Sequence, residues 1–146
     1  VVNGGAEPFH SVLNGLVSLP DEGLVAIHDA VRPLPSKEII RTSFDTAALH
    51  GGSIPVVELK DSIRKISGLN TVALNRADYL LVQTPQSFDL SLLKPAYSVN
   101  YSDAFTDDAS VFEAAGHRVQ HFPGCPINIK VTTPEDLVIA RALLET

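Results

Sequence analysis

Leu24-Val25-Ala26-Ile27-His28-Asp29-Ala30-Val31-Arg32-Pro33 is the stretch that decides the fold. Its apolar opening is bounded by turn formers on both sides. It reads as a short buried strand of a parallel sheet, because strands covered on both faces run apolar without alternation. His28, Asp29 and Arg32 then fall just past the strand's carboxyl end, where open α/β sheets place their ligands. A carboxylate there can hold Mg²⁺, and an arginine three residues on can hold a phosphate. The same residues also suit a plain strand-to-loop turn closed by a local Asp–Arg pair.

Helical and extended patterns alternate on either side. Upstream, Val1-Val2-Asn3 reads as the tail of a strand entering a Gly4-Gly5 turn. Phe9, Val12, Leu13, Leu16 and Val17 share one helical face behind Pro8, which suits a first turn. Downstream, Ser36 is placed to cap a helix carrying Ile39, Ile40, Phe44, Ala47 and Ala48, stopped by Gly51-Gly52. Ser53 to Glu58 and Tyr79 to Val82 read as strands. Between them residues 59–76 form a polar excursion, with alternation through Ser62-Ile63-Arg64-Lys65-Ile66 and a turn at Ser67-Gly68-Leu69-Asn70; this predicts a β-hairpin arm. Asp89 is a cap for a short helix through Leu93 and Tyr97. Thr106 opens another that Gly116 closes. Arg118 to Phe122 is a strand, and Asn128 to Val131 a brief extended piece. Thr133-Pro134-Glu135-Asp136 has the form of a capping box before the last helix. Strands alternating with helices predict an α/β domain, a mostly parallel sheet flanked by helices with a protruding β-arm, filling residues 1–146 as a single unit.

Composition narrows the function. The 146 residues carry a formal charge of -6, which argues against binding a nucleic-acid backbone. A small anionic substrate is not excluded, since it responds to local charge. No apolar run approaches the roughly 18 residues of a membrane span, and the opening does not read as a signal peptide. One cysteine, Cys125, allows neither an intrachain disulfide nor a paired-cysteine zinc site. The expected setting is reducing and cytoplasmic, with no membrane and no nucleic-acid partner.

Other residues admit two readings each. Lys130 lies in the apolar stretch Asn128-Ile129-Lys130-Val131-Thr132, so its ammonium either snorkels to solvent or faces a bound anion. Thr84 and Gln86 can bind substrate or close a turn around Pro85. Thr106-Asp107-Asp108 can be a helix cap with an acidic first turn, or Thr106 can meet a substrate hydroxyl. Arg64, Lys65 and Arg76 make the arm basic, as a solvated face or as a reach into a partner's site. Gly4 and Gly5, with Ser11 near a helix start, can contact a nucleotide through backbone N–H groups.

In order along the chain, VVNGG with a Ser-Val six residues later, HDAVRP, DSIRK, NR, TPQSF, TDDAS and NIKVTTPEDL resemble the 2-C-methyl-D-erythritol 4-phosphate cytidylyltransferases of non-mevalonate isoprenoid biosynthesis. The ordered set, spread over nearly the whole chain, is what makes the resemblance specific. It implies a Rossmann-like nucleotidyltransferase fold and a homodimer clasped by β-arms. The implied reaction joins CTP to the polyol phosphate with release of pyrophosphate, using Mg²⁺ or another divalent cation. Asp29 then matches a metal- and substrate-associated aspartate, and Lys130 a catalytic lysine near the α-phosphate. Arg32 and Thr106 match substrate-site positions. Ser62 stands where the family commonly has threonine, and Arg76 matches an arm arginine that reaches the substrate phosphate across the dimer. Gly4, Gly5 and Ser11 match positions around cytosine and ribose. Pro8 stands where the family commonly has arginine. The chain holds no methionine. It is therefore expected to be about the C-terminal two thirds of such a protein, without the N-terminal glycine-rich loop that cradles the triphosphate. Two alternatives stay open: a ribitol-5-phosphate cytidylyltransferase, and a non-catalytic dimerisation or binding fragment.

Overall fold

The computed structural model describes residues 1–145. In chain order its elements are α1 (Pro8–Val17), β1 (Leu24–Ile27), α2 (Lys37–His50), β2 (Gly52–Glu58), β3 (Arg64–Ser67), β4 (Asn70–Ala73), β5 (Leu80–Val82), β6 (Gln86–Asp89), α3 (Leu90–Ala96), α4 (Asp108–Ala114), β7 (Gln120–Pro123) and α5 (Pro134–Leu144). Local chemistry sets the boundaries. Ser36 caps α2 by accepting from the Ile39 amide, and Gly51 ends it at φ 84°, where a side chain would be strained. Thr133 and Asp136 form the expected capping box on α5. Asp89 caps α3.

The main sheet runs β1-β6-β2-β5, with β7 pairing β2. β1 and β2 are each antiparallel to β6, and β7 is parallel to β2, so β1, β2 and β7 point one way and β5 and β6 the other. This is the expected α/β sheet, mixed in direction, with helices packed against it. One strand is not foreseen from the sequence: Gln86, expected at a turn around Pro85, and Asp89, expected as a helix cap, bound β6, which lies between β1 and β2. Its polar side chains hid it. They are buried yet bonded: Ser87 Oγ lies 2.6 Å from Ser43 Oγ, and Ser53 Oγ donates to the Ser43 carbonyl at 2.7 Å. These hydroxyls pin α2 to the sheet. β6 also changes the surroundings of β1, whose neighbour is antiparallel and whose burial is only partial.

Two local expectations are corrected. Val1–Asn3 carries no strand. Asp107, not Thr106, caps α4, because its carboxylate takes the Ser110 amide while Ser110 Oγ returns to the Asp107 amide. Asn128–Val131, expected as a brief extended piece, lies outside the sheet, and its Val131 amide donates to the Val31 carbonyl of the loop after β1 at 2.8 Å.

The arm is present. β3 and β4 pair antiparallel around Gly68-Leu69, with Gly68 at φ 60°, the position that favours glycine in this two-residue turn. Ile66, Leu69 and Val72 project from it exposed.

The core gathers Phe88, Leu93, Val111 and Phe112 between the sheet and α3–α4. Packing there is tight around Gly52, where an added Cβ would stand 2.8 Å from Phe112 Cε1 and 3.1 Å from Phe88 Cδ1. Gly52→Ala is therefore expected to destabilise the fold by about 1–3 kcal/mol. Urea unfolding measures this, and an unchanged midpoint would contradict the packing described.

Candidate active site

The site is built from an irregularity in the sheet. Ser53 faces Ser87, while Val56 faces Val82. Three steps along β2 therefore match five along the strand opposite, and the extra length bulges out between Gln83 and Gln86. The Thr84–Pro85 peptide inside it is cis. The bulge carries Thr84 to the loop that follows β1. There Thr84 Oγ1 accepts from the Asp29 amide at 3.0 Å and shares a hydrogen bond with His28 Nδ1 at 2.9 Å. His28 Nε2 in turn lies 2.9 Å from the Arg32 carbonyl. Thr84 thus lines the site while its hydroxyl fixes the Asp29 loop.

A glutamine stands at each end of the bulge, and both are buried. Gln83 Nε2 donates to the Cys125 and Asn128 carbonyls, at 2.8 and 3.2 Å, and Gln83 Oε1 accepts from the Cys125 amide at 3.1 Å. Gln86 does the same on the other side: Nε2 donates to Asp107 Oδ2 at 2.9 Å and Oε1 accepts from the Ala109 amide at 3.0 Å. Neither role was legible in the sequence, because a side-chain amide bonded to a distant backbone leaves no spacing signal. Asn128, fully buried, completes the frame by donating from Nδ2 to the Thr84 carbonyl at 2.8 Å.

Within this frame Asp29, Arg32, Thr84, Thr106 and Lys130 line one cleft of about 380 Å³, along with Pro8, Asp107 and Asp108. Asp29 Oδ2 meets Arg32 Nε at 3.0 Å and Lys130 Nζ at 3.4 Å. The Arg32 side chain is only 11% exposed, whereas that of Lys130 is 49% exposed, so the lysine is the cation open to a ligand. An adjoining cleft of about 410 Å³ shares Asp29, Thr84 and Thr106 and adds Ser11 and an aromatic wall. In that wall Phe9 stacks on Tyr97, with ring centroids 4.8 Å apart, and on Phe105 at 5.9 Å. The two compartments share the carboxylates of Asp29, Asp107 and Asp108; the first adds Arg32 and Lys130, the second the aromatic wall.

The remaining expected residues divide. Ser11 Oγ accepts from the Gly5 amide at 2.9 Å, which ties the glycine turn to α1. Gly4 and Gly5 themselves stay outside both clefts. Ser62 and Arg76 belong to the arm segment and line neither cleft, and Arg76 Nη1 donates to the Lys60 carbonyl.

Among the described residues, no group of three or more His, Cys, Asp or Glu side chains gathers to hold a metal. Asp29 offers a single carboxylate whose Oδ2 already meets both cations. That donor set fits Mg²⁺, which keeps several waters and commonly takes one carboxylate together with substrate phosphates.

Asp108, on the shared wall, is the most perturbed acid. Burial pushes its carboxyl up to about 6; the Tyr97 hydroxyl hydrogen bond opposes this, and the nearby Asp107 and Asp29 charges add to it. Burial first, and then Asp108, raise the Tyr97 hydroxyl above its usual value. Between about pH 4 and pH 6 the folded protein therefore holds a proton on Asp108 that the unfolded chain has lost. Stability from this group falls as pH rises through that window. Asp108→Asn, whose amide oxygen can still accept from Tyr97, should stabilise the fold above pH 6 by up to about 3 kcal/mol and flatten the slope. Urea midpoints from pH 4 to pH 8 test this, and an unchanged slope would contradict it.

Comparison with known proteins agrees with this architecture. A family model described as "IspD: 2-C-methyl-D-erythritol 4-phosphate cytidylyltransferase" matches residues 1–146. A protein of that name from Phocaeicola vulgatus is 46% identical over 144 residues, spanning 99% of this chain and 66% of its own length. One from Geobacillus kaustophilus is 41% identical, spanning 99% of this chain and 64% of its own. The crystal structure of the 2-C-methyl-D-erythritol 4-phosphate cytidylyltransferase from Thermus thermophilus superposes with a TM-score of 0.88 at 31% identity, over 99% of this chain and 73% of that one. The chain thus spans just under two thirds of the length of these curated relatives. In sequence and in fold alike, it belongs to the 2-C-methyl-D-erythritol 4-phosphate cytidylyltransferase family.

Proposed function

We propose that the protein of which this chain is part joins CTP to 2-C-methyl-D-erythritol 4-phosphate, giving 4-diphosphocytidyl-2-C-methyl-D-erythritol and pyrophosphate. The observation that carries this reading is the convergence of Asp29, Arg32, Thr106 and Lys130 on one cleft, in a chain of this family. A phosphate oxygen of the polyol attacks the α-phosphorus of CTP. One P–O bond forms there as the bond to the β-phosphate oxygen breaks, and pyrophosphate leaves. Negative charge grows on the oxygens around the α-phosphorus, and a preorganised cation beside them lowers the barrier. Lys130 has the charge and exposure for that task. Arg32, largely buried, holds Asp29 in place from behind. Asp29 would hold Mg²⁺, which when bound offsets phosphate charge and orients the triphosphate. Thr106 is assigned to the polyol and Ser11 to the cytidine, with Gly4 and Gly5 acting through the turn that Ser11 holds.

The arms supply the rest. Ile66, Leu69 and Val72 are apolar yet exposed on a hairpin, which suits contact with a second copy. In a homodimer Arg76 and Ser62 would serve the partner's site. The setting proposed is the cytoplasm; no described helix is long and apolar enough to cross a membrane.

Pyrophosphate release by the complete protein tests the reaction. It should require CTP, Mg²⁺ and methylerythritol phosphate together, and stop when EDTA removes the metal. Faster release with ribitol 5-phosphate would overturn the choice of polyol. Lys130→Ala should lower kcat by about 10²–10³-fold while the protein stays folded; full activity would remove Lys130 from the chemistry. Mixing Arg76→Ala subunits with Lys130→Ala subunits should regain activity if Arg76 crosses the dimer, and the absence of any gain would place it in its own subunit's site.

A further inference from the structure

We infer that Gln83 is a positioning residue for Lys130, acting through the backbone of the loop that leads to it; this rests on the reaction proposed above. The Gln83 amide engages Cys125 from both of its ends, taking the Cys125 amide on Oε1 and giving Nε2–H to the Cys125 carbonyl. A side chain thereby pairs with a peptide as a neighbouring strand would. Nε2 also reaches the Asn128 carbonyl at 3.2 Å, and Arg32 Nη1 donates to that same oxygen at 2.8 Å. Lys130 begins two residues later. On its far side the Val131 amide is fixed to the Val31 carbonyl.

The segment carrying the lysine therefore belongs to no strand, and hydrogen bonds on both sides register it. Three of the upstream bonds are made by Gln83, beside those from Arg32 to the Asn128 carbonyl and from Asn128 to the Thr84 carbonyl. The backbone of Gln83 is held in turn, since its amide donates to the Pro55 carbonyl in the sheet at 2.8 Å. One path from the sheet to Lys130 thus runs through Pro55, Gln83, then Cys125 and Asn128, beside the direct bond of the Gly124 amide to the Val56 carbonyl at 2.7 Å. Gly124 gives the amide room: a Cβ there would come 2.5 Å from Gln83 Oε1.

The chemistry is specific to an amide. Glutamate keeps the shape and the acceptor but loses the Nε2 donor, and sets a carboxylate against two carbonyl oxygens. Gln83 is 5% exposed and its Nε2 bonds only protein carbonyls, but it also lines the cleft that holds Lys130, so dependence on Lys130 is what separates an effect through the loop from a direct one. Misplacing a catalytic group by about 1 Å costs about 10²-fold in rate.

The test is a double-mutant cycle in the complete protein, read by pyrophosphate release from CTP, Mg²⁺ and methylerythritol phosphate. Gln83→Glu should lower kcat by about 10–100-fold with KM for CTP changed less than about three-fold. In a Lys130→Ala background the same substitution should change kcat less than about two-fold, because the group it positions is already gone. Equal losses in both backgrounds would overturn the inference, and so would a loss that only follows the fraction of folded protein. Should Gln83→Glu not fold, Gln83→Met, which buries no charge, goes through the same cycle and is read in the same way. No release by the unsubstituted protein would refute the reaction itself, whereas release with additive penalties refutes only the role of Gln83.

Discussion

A nearly buried guanidinium holds the functional end of this molecule together. Arg32 donates from Nε to Asp29 Oδ2, from Nη1 to the Asn128 carbonyl and from Nη2 to the Val82 carbonyl. It joins the loop after β1, the end of β5 and the segment carrying Lys130. A charge this far from water must be paired and hydrogen-bonded, or it costs several kcal/mol. That constraint makes the three segments one unit. Lysine, a point charge on a flexible stem, cannot reproduce the fork.

The bulge between β5 and β6 makes the arrangement reachable. A regular ladder would carry residues 83–86 along the face of β2. With the extra length, Thr84 is pushed toward Asp29, and the two glutamines grip opposite walls: Gln83 the Lys130 loop, Gln86 the start of α4. The clefts lie between those walls. One holds Arg32 and Lys130 and the other the aromatic wall, which suits two substrates that meet at a phosphate.

Much of this could be read in the sequence, for identifiable reasons. Capping signals have local causes, and Ser36, Asp89 and Thr133 behave as their residue types require. The hairpin arm followed from alternation and a glycine turn. Asp29, Arg32 and Lys130 were legible because charged residues at the end of an apolar strand, or inside an apolar segment, need an explanation. β6 was not legible, since Gln86 and Ser87 read as exposed until the hydroxyls of Ser43 and Ser53 are brought against them by tertiary packing. The cap on α4 moved from Thr106 to Asp107 for a related reason: Gln86 holds Asp107 in the capping position from another strand. What spacing could not show was in each case a side-chain hydrogen bond between residues far apart in the chain.

The most direct test of the Arg32 latch is amide hydrogen exchange in Arg32→Lys. The expected result is faster exchange at the Asp29 and Val131 amides, both hydrogen-bonded in the frame, with the β2–β7 amides unchanged. Uniformly faster exchange across the sheet would contradict a local latch and make Arg32 part of global stability. Unchanged exchange at Asp29 and Val131 would show that the segments hold their places without it.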